Sequence, residues 1–249
     1  MAAPLVRIHD LHKRLGRQHV LRGFDLDVTA GETLVIIGRS GGGKSVLLKH
    51  IIGLMKPTSG KVVFEGQDVS ELSERKLGTI RKKIAILFQG AALFDSMSVE
   101  ENIAFPLKEA GIKDTKIIDE KVARALEVVD LAGEQKKMPE NLSGGMKKRV
   151  GLARAIVSEP ECILYDEPTT GLDPIVADSI NRLIRRLQSR LRVTSIVVTH
   201  DMKSAFHVAD QVAYLHEGRV YFKGTPEQLR ASPDLVIQDF IEGRSHEIA

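Results

Sequence analysis

A glycine-rich stretch near the start of the chain has the residue types and spacing to bind phosphate through its backbone. It fits the pattern G-x-x-x-x-G-K-[ST] and consists of Gly38, Arg39, Ser40, Gly41, Gly42, Gly43, Lys44 and Ser45. The glycines let the chain wrap closely, so that successive N–H groups point at phosphate oxygens. Lys44 adds a mobile positive charge for the β- and γ-phosphates of a nucleotide, and the hydroxyl of Ser45 can ligate Mg²⁺. The alternative is a glycine-rich turn whose lysine is merely solvated.

Two adjacent acidic residues end an apolar run later in the chain. The run, residues 162–165, is typical of a buried strand, and Asp166 and Glu167 follow it directly. A nucleotide site with Mg²⁺ needs a carboxylate near the ion and a group that activates water. We predict that Asp166 belongs to the metal shell and that Glu167 polarises the attacking water. A salt-bridged surface pair at a strand end is the alternative.

Single polar residues end two further apolar runs. Gln89 is the last residue of the run 84–89, and His200 is the last residue of the run 195–200. In open α/β sheets the carboxyl ends of the strands face the ligand crevice. We therefore expect Gln89 to reach a metal-bound or attacking water, as a metal ligand and a catalytic group, and His200 to reach the γ-phosphate. For His200 the alternative is a structural histidine whose hydrogen bonds are satisfied within the fold.

A second glycine pair lies about a hundred residues beyond the first site. Residues 142–149 have the sequence LSGGMKKR, and Ser143, Gly144 and Gly145 stand at the start of a predicted helix. Exposed N–H groups at a helix N-terminus attract an anion. This stretch is therefore an incomplete phosphate site in a chain that already carries a fuller one.

The elements that must position these residues alternate between strands and helices. Short apolar runs predict buried strands at 33–38, 84–89, 162–167 and 195–200. Period-two patterns and turn residues predict strand pairs within 5–28, 61–69 and 212–224. Apolar residues at a spacing of three to four over 175–191 predict a long amphipathic helix. This alternation indicates an α/β fold with a mostly parallel sheet.

The middle of the chain interrupts this α/β pattern. Residues from about 90 to about 155 contain no clear strand, and Ser98 with Glu101 forms the pattern of a capping box at a helix start. We predict one domain over 1–249. Its core is built from about 1–89 and 156–249, and a helical insert covers about 90–155.

The composition limits the class of protein. The chain has 249 residues, 36 basic and 33 acidic residues and a net charge of +3, so a dominant nucleic-acid surface is not expected. The basic clusters at 147–149 and 182–190 are predicted to be solvated faces. Cys162 is the one cysteine, and its apolar neighbours predict a buried thiol in a reducing compartment. Neither a signal peptide nor a bilayer-spanning run is recognisable, which predicts a cytoplasmic protein, either free or docked on a membrane protein.

The order of these motifs resembles that of the ATP-binding cassette (ABC) family over nearly the whole chain. Residues 38–45 resemble the Walker A loop, Gln89 the Q-loop, and residues 162–167 the Walker B strand. LSGGM at 142–146 resembles the family signature, GLD at 171–173 the D-loop, and His200 the switch histidine. The resemblance implies a P-loop NTPase (RecA-like) core with an antiparallel β subdomain, and an enzyme that hydrolyses ATP with Mg²⁺.

The resemblance also accounts for the incomplete second site. Cassettes of this family pair head to tail with ATP between them, so a homodimer is implied. Ser143, Gly144 and Gly145 would bind the γ-phosphate held by the Lys44 of the partner subunit, and Asp173 would lie at the same interface. Loss of that bridge after hydrolysis would let the two copies separate.

The chain departs from the family pattern at three places. Met146 stands where the signature usually has glutamine, and Thr170-Gly171 replaces the common serine-alanine before the D-loop. Leu15 stands where the family usually has an aromatic residue that stacks on adenine. Stacking on the base is therefore either lost or supplied by other groups, such as His12, Arg14 or a partner subunit.

Within the family, the chain resembles the ATPase subunits of MCE/Mla-type phospholipid transporters. The resembling segments are residues 87–107, 142–149 and 165–175. The implied assembly is a homodimer beneath membrane permease subunits, with an MCE-domain lipid-binding protein beyond the membrane. The implied location is the cytoplasmic face of the bacterial inner membrane. An importer ATPase for amino acids or another small solute is the main alternative. A soluble cassette of DNA repair or ribosomes and a catalytically silent subunit are the others.

Overall fold

The computed structural model describes residues 4–244, which fall into two compact units. Of the described residues, the first unit comprises 4–73 together with 196–244, and the second comprises Glu74–Ser195. Strand β8 crosses from the second unit into the first. Among the described helices, none is both long and apolar enough to cross a membrane.

The strands and helices alternate along the chain. The strands are β1 Val6–Leu15, β2 Gln18–Val28, β3 Thr33–Ile37, β4 Ser59–Phe64, β5 Gln67–Asp68, β6 Ile84–Leu87, β7 Cys162–Asp166, β8 Thr194–Thr199, β9 Gln211–His216 and β10 Arg219–Gly224. The helices are α1 Lys44–Ile51, α2 Glu74–Arg81, α3 Val99–Glu109, α4 Thr115–Val128, α5 Gly144–Ile156, α6 Pro174–Leu191, α7 Met202–Val208, α8 Pro226–Arg230 and α9 Leu235–Glu242. Single 3₁₀ turns occur at Val69–Glu71 and Pro139–Asn141.

An antiparallel sheet of four strands occupies the N-terminal part of the first unit. Its strand order is β2-β1-β4-β5, with Val6 opposite Val28 in β2 and opposite Phe64 in β4. These three side chains are fully buried or nearly so. The alternation of apolar residues thus gives this sheet one packed face, as expected for an antiparallel sheet.

The strand that leads into the glycine-rich stretch is buried along its whole length. All five residues of β3 are buried. β3 pairs in parallel with β9, and β9 pairs antiparallel with β10. The β9–β10 turn has positive φ angles at Glu217 and Gly218, 47° and 80°, which fits the backbone twist of a two-residue hairpin. The strands predicted within 5–28, 33–38, 61–69 and 212–224 are confirmed.

The second unit combines a parallel strand pair with helices. β6 and β7 run parallel, with Ile84 opposite Cys162 and Leu87 opposite Tyr165. The predicted capping box at the start of α3 is present: the Ser98 hydroxyl accepts from the N–H of Glu101, whose carboxylate accepts from the N–H of Ser98. The predicted α/β character and the helical middle region are both confirmed.

Some expectations about burial hold and others are wrong. Cys162 is buried, and desolvation raises the pKa of its thiol to about 12. The basic run 147–149 is not a solvated face, because Lys148 is only 4% exposed. Ile175, which continues the apolar periodicity of α6, is 83% exposed. It lies in the first turn of the helix, before the stripe that the unit buries begins at Ile180.

Candidate nucleotide site

The glycines of residues 38–45 are required by close backbone approach and by backbone conformation. A Cβ atom on Gly38 would lie 2.7 Å from the carbonyl oxygen of Leu215, and one on Gly43 would lie 2.9 Å from Cγ1 of Val20. Gly41 and Gly43 have φ angles of 75° and 101°, in the region that favours glycine. Glycine is therefore required where the loop backbone packs closely against its neighbours or adopts a positive φ angle.

The helix that follows the loop presents its N-terminus there. α1 begins at Lys44, and Gly43 supplies its N-cap without a side-chain hydrogen bond to the first turn. The Lys44 ammonium group folds back over the loop and donates to the carbonyl oxygens of Gly38 at 2.8 Å and Arg39 at 3.2 Å. A loop of glycines, a helix N-terminus and a lysine are thus combined at one place, which suits phosphate.

His200 belongs to the same unit as this loop. It follows β8, and β8 is the neighbour of β3 in the strand order. The next residue, Asp201, caps α7 by accepting from the N–H of Lys203 at 3.0 Å. The His200 side chain itself is exposed. The loop and His200 therefore follow neighbouring strands of one unit.

The second unit contains the other candidate residues at the ends of its parallel strands. Gln89 and Glu167 each lie two residues beyond the register pair Leu87–Tyr165. Glu167 is buried and has a φ angle of 48°. A non-glycine residue in that conformation stores strain, and such residues cluster at functional sites. Asp166 is the last residue of β7, partly exposed beside Glu167.

The signature residues form the N-terminus of helix α5, as predicted. Ser143 is the N-cap, and its hydroxyl accepts from the N–H of Met146 at 3.3 Å. Ser143 and Gly144 are exposed, whereas Gly145 is buried. A Cβ atom on Gly145 would lie 2.5 Å from Cγ1 of Val176, so only glycine fits there. The exposed N-terminus of α5 keeps its first N–H groups accessible to an anion.

Asp173 has a structural function that the sequence motif did not reveal. It is the N-cap of α6, and its carboxylate accepts from the N–H groups of Ile175 and Val176, both at 3.0 Å. Caps of this kind stabilise a helix by about 1 kcal/mol. Because Asp173 is exposed, the cap leaves one side of the carboxylate open.

The region expected to contact a base contains two stacked histidines. The rings of His12 and His19 stack with centroids 5.3 Å apart, and Nε2 of His12 lies 3.0 Å from the carboxylate of Asp10. Leu15, at the end of β1, is 43% exposed. The position where the family usually has an aromatic residue is thus occupied by the exposed apolar side chain of Leu15, near the turn of the β1–β2 hairpin.

Comparison with known proteins decides the family. The sequence pattern of the family described as "ABC transporter" matches residues 21–170. This chain belongs to the ABC transporter family. The match spans both glycine-rich stretches and the acidic pair at the end of β7, whereas Asp173 and His200 lie beyond it.

Curated relatives extend the similarity of this cassette to almost its whole length. The intermembrane phospholipid transport system ATP-binding protein MlaF of Haemophilus influenzae is 41% identical over 97% of this chain and 91% of its own. A probable ribonucleotide transport ATP-binding protein, mkl of Mycobacterium leprae, is 39% identical over 96% of this chain and 69% of its own.

A solved structure links the same fold to hydrolysis. The ATP-binding cassette MJ0796, in a dimeric post-hydrolysis state bound to ADP and Pi, has a TM-score of 0.81 and 30% identity. The similarity covers 89% of this chain and 98% of MJ0796. The present cassette is accordingly an ATPase with the P-loop NTPase fold, and it binds ATP.

Two side chains near Glu167 were missed by sequence reasoning. The Thr170 hydroxyl donates to Oε2 of Glu167 at 3.2 Å. The Lys148 ammonium group donates to the backbone carbonyl of Gln89 and, at 3.4 Å, to that of Glu167. Thr170 could have been found from the sequence, because residues 170–171 depart from the usual serine-alanine of the family. Lys148 gave no such signal, because it lies in a run of basic residues that was predicted to be solvated.

Replacing Thr170 by valine is expected to slow ATP turnover about tenfold, with little change in ATP affinity. Valine has nearly the same shape but lacks the hydroxyl that orients the Glu167 carboxylate, and a hydrogen bond to a charged group contributes about 1.5–3 kcal/mol. Steady-state hydrolysis and equilibrium binding of ATP measure the two quantities. Thr170→Ser retains the hydroxyl and is the control; equal loss in both variants would contradict the prediction.

Proposed function

We propose that this cassette is the ATP-hydrolysing subunit of a phospholipid transporter. The proposal is carried by its identity of 41% to a protein named for intermembrane phospholipid transport, over nearly the full length of both chains. The mycobacterial relative named for ribonucleotide transport supplies a second cargo class to test. The alternative of an amino-acid importer is not favoured, because neither relative is named for amino-acid transport.

In the proposed site, the loop of residues 38–45 wraps the phosphates of ATP. N–H groups of the loop and of the α1 N-terminus would bind phosphate oxygens. The Lys44 ammonium group would exchange its hydrogen bonds to loop carbonyls for contacts with the β- and γ-phosphates. His200 would contact the γ-phosphate, where a hydrogen-bond donor stabilises the charge that develops during transfer.

The residues present suit Mg²⁺ rather than a metal held entirely by the protein. The described residues contain no group of three or more His, Cys, Asp or Glu side chains able to hold a metal ion. Mg²⁺ usually takes one or two carboxylates, with phosphates and waters completing its octahedron. Ser45, Gln89 and Asp166 would hold it in this cassette. When bound, it would neutralise charge on the phosphates.

Glu167 is the proposed general base of hydrolysis. Its carboxylate would accept a proton from the attacking water as the water oxygen bonds to the γ-phosphorus and the bond to the bridging β,γ-oxygen breaks. The products are ADP and phosphate. Gln89 would orient that water. Its backbone carbonyl and that of Glu167 both accept from the Lys148 ammonium group, which holds the two residues close together.

The incomplete site at the start of α5 is proposed to be completed by a second copy of this chain. The exposed N-terminus at Ser143 and Gly144, with Gly145 behind it, would bind the γ-phosphate held by the partner subunit's loop. Asp173, exposed at the start of α6, would face the same interface. Both sites of a symmetric dimer would be built in this way.

The segment after Gln89 is proposed to dock a permease helix. Phe94 is 40% exposed, and its ring contacts that of Phe105, with centroids 4.8 Å apart. Buried Asn102 fixes the segment: it accepts from the N–H of Phe94 at 2.8 Å and donates to the carbonyl oxygens of Phe94 and Met97. The phenyl ring is thus displayed by a hydrogen-bonded segment that follows Gln89.

Phe94→Asp is expected to abolish co-purification of the permease while leaving the fold intact. A charge at an apolar contact costs several kcal/mol when buried by a partner, but little in a side chain that water already reaches. Pull-down from membranes and thermal unfolding measure the two effects. Ile117→Asp changes an apolar residue of the same unit with 44% exposure and is the matched control. Association that survives Phe94→Asp would refute this docking site.

One purification distinguishes the proposed assemblies. The tagged cassette is extracted from its native membranes in mild detergent, and co-purifying proteins and lipids are identified by mass spectrometry. A permease with an MCE-domain protein and bound phospholipid supports the lipid transporter, on the cytoplasmic face of the inner membrane. A permease whose purified complex hydrolyses ATP faster with ribonucleotide or another small solute would move the cargo to that class. Recovery without any membrane protein would contradict the proposal.

A further inference from the structure

A buried lysine in the signature helix contacts both segments proposed to act on water. Lys148, in α5, is 4% exposed, and its ammonium group donates to the backbone carbonyls of Gln89 and Glu167. Burial lowers the pKa of this amine, whereas the nearby charges of Asp166 and Glu167 raise it. An ammonium group is costly to bury unless its donors are paired, so the position calls for a specific role.

Helix α5 holds the segment after β6 through further close contacts. A Cβ atom on Gly151 would lie 2.7 Å from Cδ1 of Leu87 and 3.3 Å from Cβ of Ala91. The Arg154 guanidinium donates to the carbonyl oxygen of Ala91 at 2.7 Å. Lys148, Gly151 and Arg154 therefore secure Leu87–Ala91 to α5 along two turns of the helix.

Lys148 also reaches the strained backbone at Glu167. Residues Ala91 and Glu167 have φ angles of 60° and 48°, conformations that persist only when surrounding contacts fix them. A hydrogen bond to the Glu167 carbonyl orients the peptide unit that carries its side chain. Among the contacts that α5 makes with Gln89, Ala91 and Leu87, the Lys148 contact is the one that also extends to Glu167.

We propose that Lys148 is a positioning residue that links the signature helix to Gln89 and Glu167. The ammonium group sets the two backbone carbonyls relative to α5, whose N-terminus, at Ser143, lies little more than one turn away. Binding of a nucleotide at that N-terminus thereby affects the positions of Gln89 and Glu167, the residues that act on water. The inference rests on the roles proposed above for Gln89 and Glu167.

The test compares Lys148→Met with Lys148→Arg in the intact chain. Methionine fills a similar volume without donors, so kcat for ATP hydrolysis is expected to fall about ten- to a hundredfold. The dissociation constant for ATP and the melting temperature should stay close to wild type, because the phosphate loop is untouched. Arginine keeps a charged donor and is expected to restore most of kcat. Lys116→Met, which changes an exposed lysine of α4, is the control and should hydrolyse ATP normally.

A second comparison separates positioning from general structural support. In a Glu167→Gln background, Lys148→Met should cause little further loss of residual single-turnover hydrolysis, because residues that act as a unit are strongly non-additive. An equal loss in both backgrounds, or a parallel loss of ATP affinity and melting temperature, would overturn the proposal. Should Lys148→Met fail to fold, Lys148→Gln takes its place, since glutamine is too short to reach both carbonyls, and the same loss of kcat is expected.

The same variants distinguish an error about Lys148 from an error about Glu167 as the general base. Normal turnover in Lys148→Met, with none in Glu167→Gln, would refute the link and leave the base in place. Normal turnover in Glu167→Gln would instead remove Glu167 from the proposed chemistry, and with it the basis of the link.

Discussion

Glu167→Gln is expected to reduce steady-state ATP hydrolysis by about 10²–10⁴-fold, the usual contribution of a positioned general base. Glutamine has the same shape as glutamate but cannot accept the proton of the attacking water. The left-handed backbone at this position and the contact with the Thr170 hydroxyl can both be retained, because an amide oxygen also accepts. The fold and the phosphate loop are therefore expected to remain as they are.

ATP binding should persist in this variant, and dimers should accumulate with it. Without hydrolysis the nucleotide that is proposed to join two copies stays intact, so size measurements should report an ATP-dependent dimer that outlasts that of the wild type. Equilibrium binding, sizing with and without ATP, and phosphate release measure the three properties together. Unchanged phosphate release would show that another group takes the proton.

A matched control lies at the other end of the same strand. Glu161 precedes Cys162, and its carboxylate pairs with the Lys83 ammonium group at 2.9 Å. Glu161→Gln removes an equal charge, yet it should leave turnover near wild type. A surface ion pair contributes at most about 1 kcal/mol to stability, so this control is expected to fold normally.

Features that depend on neighbouring residues could be predicted from the sequence. The phosphate loop requires only a buried strand, glycines and a following helix, and all three lie within residues 33–51. The cap at Ser143 is equally local, because the hydroxyl of an N-cap bonds an N–H group of the next turn. The β9–β10 turn at Glu217 and Gly218 likewise follows from adjacent turn residues.

Features set by distant packing could not be predicted in this way. The burial of Lys148 results from the approach of α5 to β6, where Gly151 lies against Leu87. A basic run gives no sign of which lysine will point inward. The burial of this lysine emerges only when the elements are packed. The capping of α6 by Asp173, in contrast, uses N–H groups two and three residues on, so it is as local as the cap at Ser143.

Heterodimers of Lys44→Ala and Gly144→Asp chains are expected to retain about one ATP per dimer after free nucleotide is removed, where either parent homodimer retains almost none. In a head-to-tail pair, the Gly144→Asp chain supplies an intact Lys44, and the Lys44→Ala chain supplies an intact signature. One site is then complete and the other carries both defects. The measurement is nucleotide retained per dimer, made in a Glu167→Gln background so that hydrolysis does not empty the site.

The aspartate at position 144 is chosen because the structure accepts it. Gly144 is exposed, and a Cβ atom there would lie 3.3 Å from Cδ2 of Leu172, a flexible side-chain end. A carboxylate in the first turn of α5 also suits the helix dipole, although it repels a phosphate. The same change at Gly145 would collide with Val176 at 2.5 Å and confuse binding with folding. Gly78→Asp, at a helical glycine with open space around it, is the control and should bind about two ATP per dimer.

The two outcomes have different physical meanings. About one ATP in the heterodimer means that each phosphate loop uses the signature of the other copy, and release of phosphate then removes the contact that holds the copies together. If the heterodimer binds no more than its parents, Lys44 and Gly144 must serve the same nucleotide within one chain. The second phosphate-binding stretch would then act inside a single copy, and the proposed dimer could not be the switch.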